Sequence, residues 1–164
     1  MMMEELIKWT NTQRVLEEYA IKLRNTYQDN LIRDGKIATG NLLNSIDYKV
    51  QYNDREIWVE LHLEDYYKWV ENGRGPGKFP PPDKIMEWIR IKPVIPDDRG
   101  GRLPTEQQLA FLISRKIAEE GIEPGYQLRD AQREMMDEFE DRIDEAIALD
   151  VTEAVEIIFS SFFN

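Results

Sequence analysis

Apolar residues recur every three or four positions at the start of the chain, every second position within residues 46–63, and every three or four positions again after that. This change of period limits the folds that the chain can adopt. Apolar and polar side chains alternate over residues 46–52 and again over 57–63. The apolar members of the two runs are Ile46, Tyr48, Val50, Tyr52, Ile57, Val59, Leu61 and Leu63. Asn53-Asp54 lies between the runs and is typical of a turn. The pattern predicts a β-hairpin with one buried face.

Helical spacing governs the sequence on both sides of this hairpin. The predicted apolar faces are Leu16, Tyr19, Ala20, Leu23, Tyr27 and Leu31 in a first helix; Ile85, Trp88 and Ile89 in a second; Leu109, Leu112, Ile113 and Ile117 in a third; and Ala131, Met135, Phe139, Ile143, Ala146 and Ile147 in a fourth. The first helix is expected to stop at Asp34-Gly35, because glycine favours the position just past a helix end. Pro93 is expected to end the second helix and Gly121 the third.

Polar residues at the predicted helix starts suggest how these helices are capped. Thr105 and Gln108 have the spacing of a capping box at the start of the third helix. Asp65 is a candidate cap for a short helix that carries Tyr66, Trp69 and Val70 and ends at Asn72-Gly73. Proline is favoured at the first helical position, so the second helix is expected to begin near Pro82.

The order of these elements predicts an α+β fold, with a small antiparallel β-sheet built on a hairpin and packed against several α-helices. A chain of 164 residues has the length of one domain, 1–164. Glycine and proline make the segments at about 73–82 and 93–104 irregular loops. Residues 150–164 form a predicted C-terminal extension, in which the spacing fits a strand as well as a helix. We favour a helix, capped by Asp150 or Thr152.

Charge and cysteine content exclude several classes of function. The 32 acidic and 21 basic residues give a net charge of −11, which is unsuited to a free-standing DNA-binding protein. The absence of cysteine excludes disulfides and zinc-thiolate sites. No run approaches the roughly 18 apolar residues of a membrane span, and the N-terminus has acids where a signal peptide would be basic. A protein made and kept in the cytoplasm is expected.

The residues give little support to catalysis. His62, the one histidine, is predicted on the hairpin face opposite the apolar residues, where Glu60 is the nearest acid; we expect a structural role and no metal. A cluster of acids could in principle hold Mg²⁺, but its members alternate with Met135, Phe139 and Ile143 at the spacing of a solvated helix face. The cluster comprises Asp137, Glu138, Glu140, Asp141, Asp144 and Glu145.

The loop at 73–78 could cradle a phosphate, because it holds three glycines, Arg74 and Lys78. It departs from the phosphate-binding P-loop, since Phe79 stands where serine or threonine would follow the lysine. A loop that docks on a partner protein fits these residues better. Neither catalytic residues nor a cofactor or metal site is therefore predicted.

Three segments, in this order, resemble a known family. They are TGNLLNSI at 39–46, YYKWVENG at 66–73, and AFLISRKIAEEG at 110–121 followed by PGYQLRDA at 124–131. Their order and spacing resemble the tail-completion, or head–tail joining (neck), proteins of tailed bacteriophages, over roughly residues 10–148. The family often has an aromatic-Leu-Arg-Pro-Ala pattern before the last helix, where this chain has QLRDA.

The resemblance implies a virion structural protein with no cofactor, made in the bacterial host cytoplasm and located in the neck or tail. It implies a six- or twelvefold ring that contacts the portal-side connector and the tail tube proteins, while genome DNA passes through without specific binding. The candidate subunit or partner interface lies in the two irregular loops and comprises Arg74, Lys78, Phe79, Arg99 and Arg102.

Two other functions remain open at the level of sequence. One is a cytoplasmic, non-catalytic protein-binding module outside any virion, which would share the loops but lack ring assembly. The other is a small acidic metal-dependent hydrolase that uses acids of the last long helix. The hydrolase predicts a metal-dependent activity lost on Asp141→Ala or Glu145→Ala.

Overall fold

The computed structural model describes residues 7–36, 40–92, 94 and 103–162. Over these residues the chain forms six helices and a two-stranded antiparallel sheet, which confirms the predicted α+β class. The elements are α1 Thr10–Arg33, α2 Asn41–Ser45, β1 Asp47–Tyr52, β2 Ile57–His62, α3 Tyr67–Asn72, α4 Pro82–Ile91, α5 Glu106–Glu120 and α6 Gln127–Phe162. No helix of the described part combines the length and apolar character needed to cross a membrane.

The chain divides into two compact units. The first contains Met1–Asp34, Ser45–Leu63 and Gln127–Asn164, so it holds α1, the hairpin and α6. The second contains Gly35–Asn44 and Glu64–Tyr126, so it holds α3, α4 and α5. That the whole of 1–164 behaves as one domain stays a prediction.

The core of the first unit lies between α1 and α6. The helices run antiparallel, because Asn30 near the end of α1 donates a hydrogen bond to the carbonyl of Gln127 at the start of α6, over 3.1 Å. The buried apolar side chains of the pair are Val15, Leu16, Ala20, Leu23, Tyr27 and Leu31 on α1, and Leu128, Ala131, Met135, Phe139, Ala146 and Ala154 on α6. The two predicted apolar faces are thus largely confirmed.

Residues 150–162 continue α6 and do not form a separate element. The preference for a helix over a strand in this segment is confirmed, whereas the prediction that Asp150 or Thr152 starts a new helix is wrong. Asp150 is 1% exposed, and its carboxylate faces the N-terminus of α1. Asp150 is indeed a capping residue, as its type suggests, but the helix that it caps is α1 and not the helix in which it lies.

The hairpin packs against α1 in the first unit. Its strands are the two predicted alternating runs, and they pair in the register Asp47↔His62 to Tyr52↔Ile57. The side chain of Asn53 closes the turn by accepting hydrogen bonds from the backbone N–H groups of Arg55 and Glu56, at 2.8 and 3.0 Å. Asparagine favours such turns for this reason. The indole of Trp9 donates to the Asn53 carbonyl at 2.9 Å and ties the turn to the start of α1.

In the second unit α4 packs against α5. Ala110 and Ser114 are fully buried on α5, and Ile89 is buried on α4. The predicted apolar face of α5 is therefore wrong for Leu112, which is 43% exposed, whereas Leu109, Ile113 and Ile117 are half-buried beside Ala110 and Ser114. Small residues let two helix backbones approach closely, and the apolar pattern alone does not reveal which small residues face a neighbour.

Two of the three helix starts predicted for this unit are confirmed, and one is wrong. Thr105 and Gln108 form the predicted capping box, and α4 begins with Pro82 at its first position. Asp65 does not cap α3, because the residue at the cap position is Tyr66 and it makes no side-chain cap hydrogen bond. Glycines follow the ends of α1, α3 and α5 as predicted, at Gly35, Gly73 and Gly121.

We expect Thr105→Ala to destabilise the start of α5. The substitution removes the hydroxyl that accepts from the Gln108 N–H at 3.2 Å, and losing such a cap costs about 1 kcal/mol. Amide hydrogen exchange at Gln108 should quicken correspondingly. Gln107→Ala, an exposed change in the same turn, is the control. Equal exchange rates at Gln108 in both variants would contradict a stabilising role for the cap.

Candidate protein-binding site

The loop after α3 is held by a pair of backbone hydrogen bonds to the chain after α5. Arg74 donates its N–H to the Ile122 carbonyl at 2.8 Å, and Ile122 donates to the Arg74 carbonyl at 2.7 Å. The two residues form an isolated antiparallel bridge. Gly77 donates to the Ala118 carbonyl at 2.8 Å and fixes a second point of the loop. These N–H groups are engaged with carbonyls, which counts against a loop that presents its amides to a phosphate.

Glycines on both strands of this bridge allow the close approach. Gly73 has φ +63° and ψ −156°, and Gly121 has φ +84° and ψ −161°. This conformation is essentially restricted to glycine. A Cβ on Gly73 would lie 2.2 Å from the Ile122 carbonyl oxygen, and one on Gly121 would lie 2.2 Å from that of Arg74. Glycine is therefore required at both positions by conformation and by space.

Further hydrogen bonds bring together the three segments that carry the phage-family resemblance. The Gly125 and Tyr126 N–H groups each donate to the Glu71 carbonyl at 3.1 Å. The Leu42 N–H donates to the phenol oxygen of Tyr66 at 2.7 Å. The described part of 39–46 thus contacts 66–73, and 66–73 contacts the chain after α5. Thr39 lies outside the described residues.

Three of the five predicted interface residues occupy this loop. The guanidinium of Arg74 donates to the Lys78 carbonyl. Phe79 contacts Phe111 of α5 with ring centroids 5.5 Å apart, and the rings remain 39% and 51% exposed. Lys78, the residue before Phe79, is exposed, so the loop displays a cation beside an aromatic pair. Arg99 and Arg102 lie outside the described residues.

Apolar side chains around Phe111 extend the exposed surface. Leu103 and Leu112 are 61% and 43% exposed, and together with Phe111 they line an open cavity of about 670 Å³. We call Phe79, Leu103, Phe111 and Leu112 the aromatic-aliphatic surface. The sequence reasoning missed Phe111 and Leu103. A signal was present, because residues 109 and 111–113 of α5 are all apolar, more than one helix face can bury.

The residues considered for catalysis or metal binding, His62 and the acids of α6, do not form a common site in the described part of the chain. His62 is exposed on β2, and its Nε2 lies 3.7 Å from a carboxylate oxygen of Glu60. The acids of the cluster on α6 are all exposed, and Glu138 pairs with Lys22. Over the described ranges, no three or more histidines and acids come close enough to hold a metal ion. The contacts that do converge are those around the 73–82 loop.

The second unit thus carries a fixed loop and an exposed apolar surface, which are the features of a protein-binding site. Comparison with protein-family models, with curated proteins and with solved structures found no match.

Proposed function

We propose that this chain is a virion structural protein of a tailed phage, which forms a ring in the neck or tail and joins the head connector to the tail. The observation that carries the proposal is the convergence of the three family-like segments. Residues 40–46, 66–73 and 110–126 are separated in sequence, yet hydrogen bonds join them in one place. Segments that carry a resemblance and also contact one another are expected if they form one functional feature.

A closed ring needs two unlike contact surfaces on every subunit. The aromatic-aliphatic surface of the second unit is one candidate. The other is the end of α6 in the first unit, where several apolar side chains are exposed. These side chains are Val151, Val155, Ile157, Phe159 and Phe162, between 39% and 77% exposed. Exposed apolar surface of this extent is typical of an interaction site.

The charge of the chain suits a position around DNA. The net charge is −11, and the acids of α6 lie on exposed positions. Like charges repel over about a Debye length, so an acidic channel lets a phosphate backbone pass without holding it. In this proposal the ring contacts itself, the portal-side connector and the tail tube, and genome DNA passes through it without specific binding.

Immunogold electron microscopy on tailed particles from the source culture tests the proposal. Antibody to this protein should label the head–tail junction, and mass spectrometry of purified particles should detect the chain. Antibody absorbed beforehand with the purified protein is the control. Particles that stay unlabelled and lack the chain would overturn the virion proposal in favour of a cytoplasmic protein-binding module.

A further inference from the structure

A short proline-rich segment is displayed at the start of α4. Phe79, Pro80 and Pro81 each precede a proline, which drives them away from helical conformation and toward an extended one. Pro81 has φ −60° and ψ 123°, close to a polyproline II helix. Phe79 and Pro81 are exposed, and Pro80 is half-buried. The segment is therefore preformed and accessible, and little conformational entropy is lost when such a segment binds.

A pocket lined by aromatic rings lies at the other end of α4. Its volume is about 360 Å³, and Tyr66, Trp69 and Trp88 contribute to its lining. Trp69 is 60% exposed and Tyr66 is 40% exposed, an unusual display for such large rings. The Nζ of Lys92 donates to the Gly35 carbonyl and fixes one side of the rim. Aromatic-lined grooves of this kind recognise polyproline II segments.

We propose that the segment Phe79–Pro82 of one copy of this chain docks in the aromatic pocket of a second copy. The proposal rests on the proposed function and adds a third surface, the aromatic pocket, to the two named above; Phe79, which belongs to the aromatic-aliphatic surface, is part of the segment that it receives. Proline rings stack on exposed tryptophan and tyrosine faces, and Phe79 adds a large apolar side chain. The occupant is a second copy because both halves of the contact are present on the second unit of every chain.

The charges at the two sites are complementary. The segment has a cation before it, Lys78, and an anion after it, Asp83, both exposed, while the next residue, Lys84, is paired with Glu87 of its own helix at 3.1 Å. The rim of the pocket carries an acid, Glu123, and the lysines Lys36 and Lys92. Lys78 is expected to face Glu123, while Asp83 faces the lysines. Such pairing at a rim contributes orientation more than affinity, and it selects one direction of docking.

The separation of the two sites excludes docking within one chain. Pro82 begins α4, whereas Trp88 and Lys92 lie at its last turn and just beyond it. At about 1.5 Å per residue Pro82 lies about 9 Å along the helix from Trp88 and about 15 Å from Lys92, and none of residues 79–82 lines the pocket. A contact between two different surfaces of identical chains is heterologous, and when its rotation closes it produces a ring.

A peptide titration tests the recognition directly. A fluorescein-labelled peptide of residues 76–84, PGKFPPPDK, is titrated with the full-length protein and followed by anisotropy. We expect saturable binding that weakens at least about tenfold with Trp69→Ala, because tryptophan anchors dominate such contacts. Trp58→Ala on β2 is the matched control, since Trp58 is also exposed and lies in the first unit. Alanine at both Pro80 and Pro81 of the peptide should weaken binding by a similar factor.

Other titration results would overturn the inference. Absence of saturable binding, or binding that Trp69→Ala leaves unchanged, would exclude the pocket as the receptor of this segment. Equal binding of an unrelated proline-rich peptide would mean that the pocket serves another protein. If particles are labelled at the neck but the peptide does not bind, the proposed function stands and this contact fails. Peptide binding with unlabelled particles would retain the self-contact and reject the virion role.

Disulfide crosslinking tests the arrangement in the assembled protein. The chain has no cysteine, so Asp83→Cys/Lys92→Cys introduces the only thiols. Nine residues of helix separate the two positions by about 13 Å, beyond the roughly 7 Å that a disulfide spans, so crosslinks must join different chains. Oxidation should give a ladder of covalent multimers, and a mixture of the two single variants should give mainly dimers. Asp83→Cys/Lys116→Cys, with the second thiol on exposed α5, is the control. A ladder from the control alone would reject the proposed docking.

Discussion

Replacing Asp150 by alanine is expected to lower the free energy of unfolding by roughly 3 kcal/mol, because a buried carboxylate would be lost together with the donors it satisfies. One oxygen of Asp150 accepts from the backbone and side-chain amides of Asn11, both at 2.9 Å. The other accepts from the Thr12 N–H at 2.8 Å and the Thr12 hydroxyl at 2.7 Å. These N–H groups belong to the first turn of α1, where a negative charge is also favourable for the helix dipole.

The size of the effect follows from burial. Asp150 and Thr12 are almost inaccessible to water, at 1% and 0% exposure. In the alanine variant the Thr12 donors have no solvent to replace the carboxylate, and an unsatisfied buried donor costs about 1–3 kcal/mol. Denaturant unfolding at neutral pH measures the loss. Asp144→Ala, an exposed change on the same helix, should alter stability by less than about 0.5 kcal/mol. Equal effects of the two substitutions would show that the contact contributes nothing.

The same contact predicts a dependence of stability on pH. Burial alone raises the pKa of Asp150, but the hydrogen bonds from Thr12 and Asn11 outweigh it and hold the pKa below its usual value of 3.8. A carboxyl whose pKa is lowered by folding stabilises the folded state above its unfolded pKa and loses that contribution as pH falls through the folded pKa. The stability gap between wild type and Asp150→Asn should therefore be constant above about pH 5 and narrow below pH 3.8. A gap independent of pH down to acid unfolding would contradict this.

Asp150 also shows what the sequence can and cannot predict. Local patterns predicted the end of α1, the hairpin with its turn at Asn53-Asp54, the Thr105 capping box and the proline start of α4, because each depends on residues a few positions apart. A capping residue was recognised at Asp150, but its partners lie at Asn11 and Thr12. Residues that far apart leave no pattern in the local sequence. The aspartate therefore correctly indicated a helix cap, but the helix that it caps is α1 and not one that begins at residue 150.

At the candidate site, too, the local residues could be predicted from the sequence, but their distant partners could not. Glycine and proline predicted an irregular loop at 73–82, and Arg74, Lys78 and Phe79 were singled out there. Its partners, Ile122 and Phe111, were not identified, because they are brought to the loop by the fold of the second unit. On α5 the two fully buried residues, Ala110 and Ser114, were likewise not identified, and Leu112 was wrongly included in the buried face. Ala110 and Ser114 are small, so hydropathy alone does not mark them as core residues, although both are fully buried.

Gly73→Ala is expected to have the largest effect in the second unit, about 4 kcal/mol of destabilisation from backbone strain and overpacking together. The backbone there is at φ +63°, a conformation that costs a residue with a side chain roughly 1–3 kcal/mol. In addition the new Cβ would meet three backbone atoms within 2.8 Å, namely the Ile122 oxygen, the Pro124 nitrogen and the Glu123 carbonyl carbon. Backbone cannot rotate away as a side chain can, so the Arg74–Ile122 bridge must open. Gly121→Ala should act alike, because its Cβ would meet the Arg74 carbonyl oxygen from the other strand.

Gly75→Ala is the matched control for this prediction, since a Cβ at Gly75 meets no atom within 4 Å. It should change stability by no more than about 0.5 kcal/mol. Amide hydrogen exchange at Arg74 and Ile122 reports on the bridge directly, and protection should fall in the Gly73 and Gly121 variants alone. Because α1 and α6 belong to the first unit, protection at Leu23 and Phe139 offers an internal reference for local rather than global unfolding. Protection at Arg74 and Ile122 that survives Gly73→Ala would mean that the loop tolerates a side chain there, and the 73–82 loop could not then be regarded as a rigidly presented binding element.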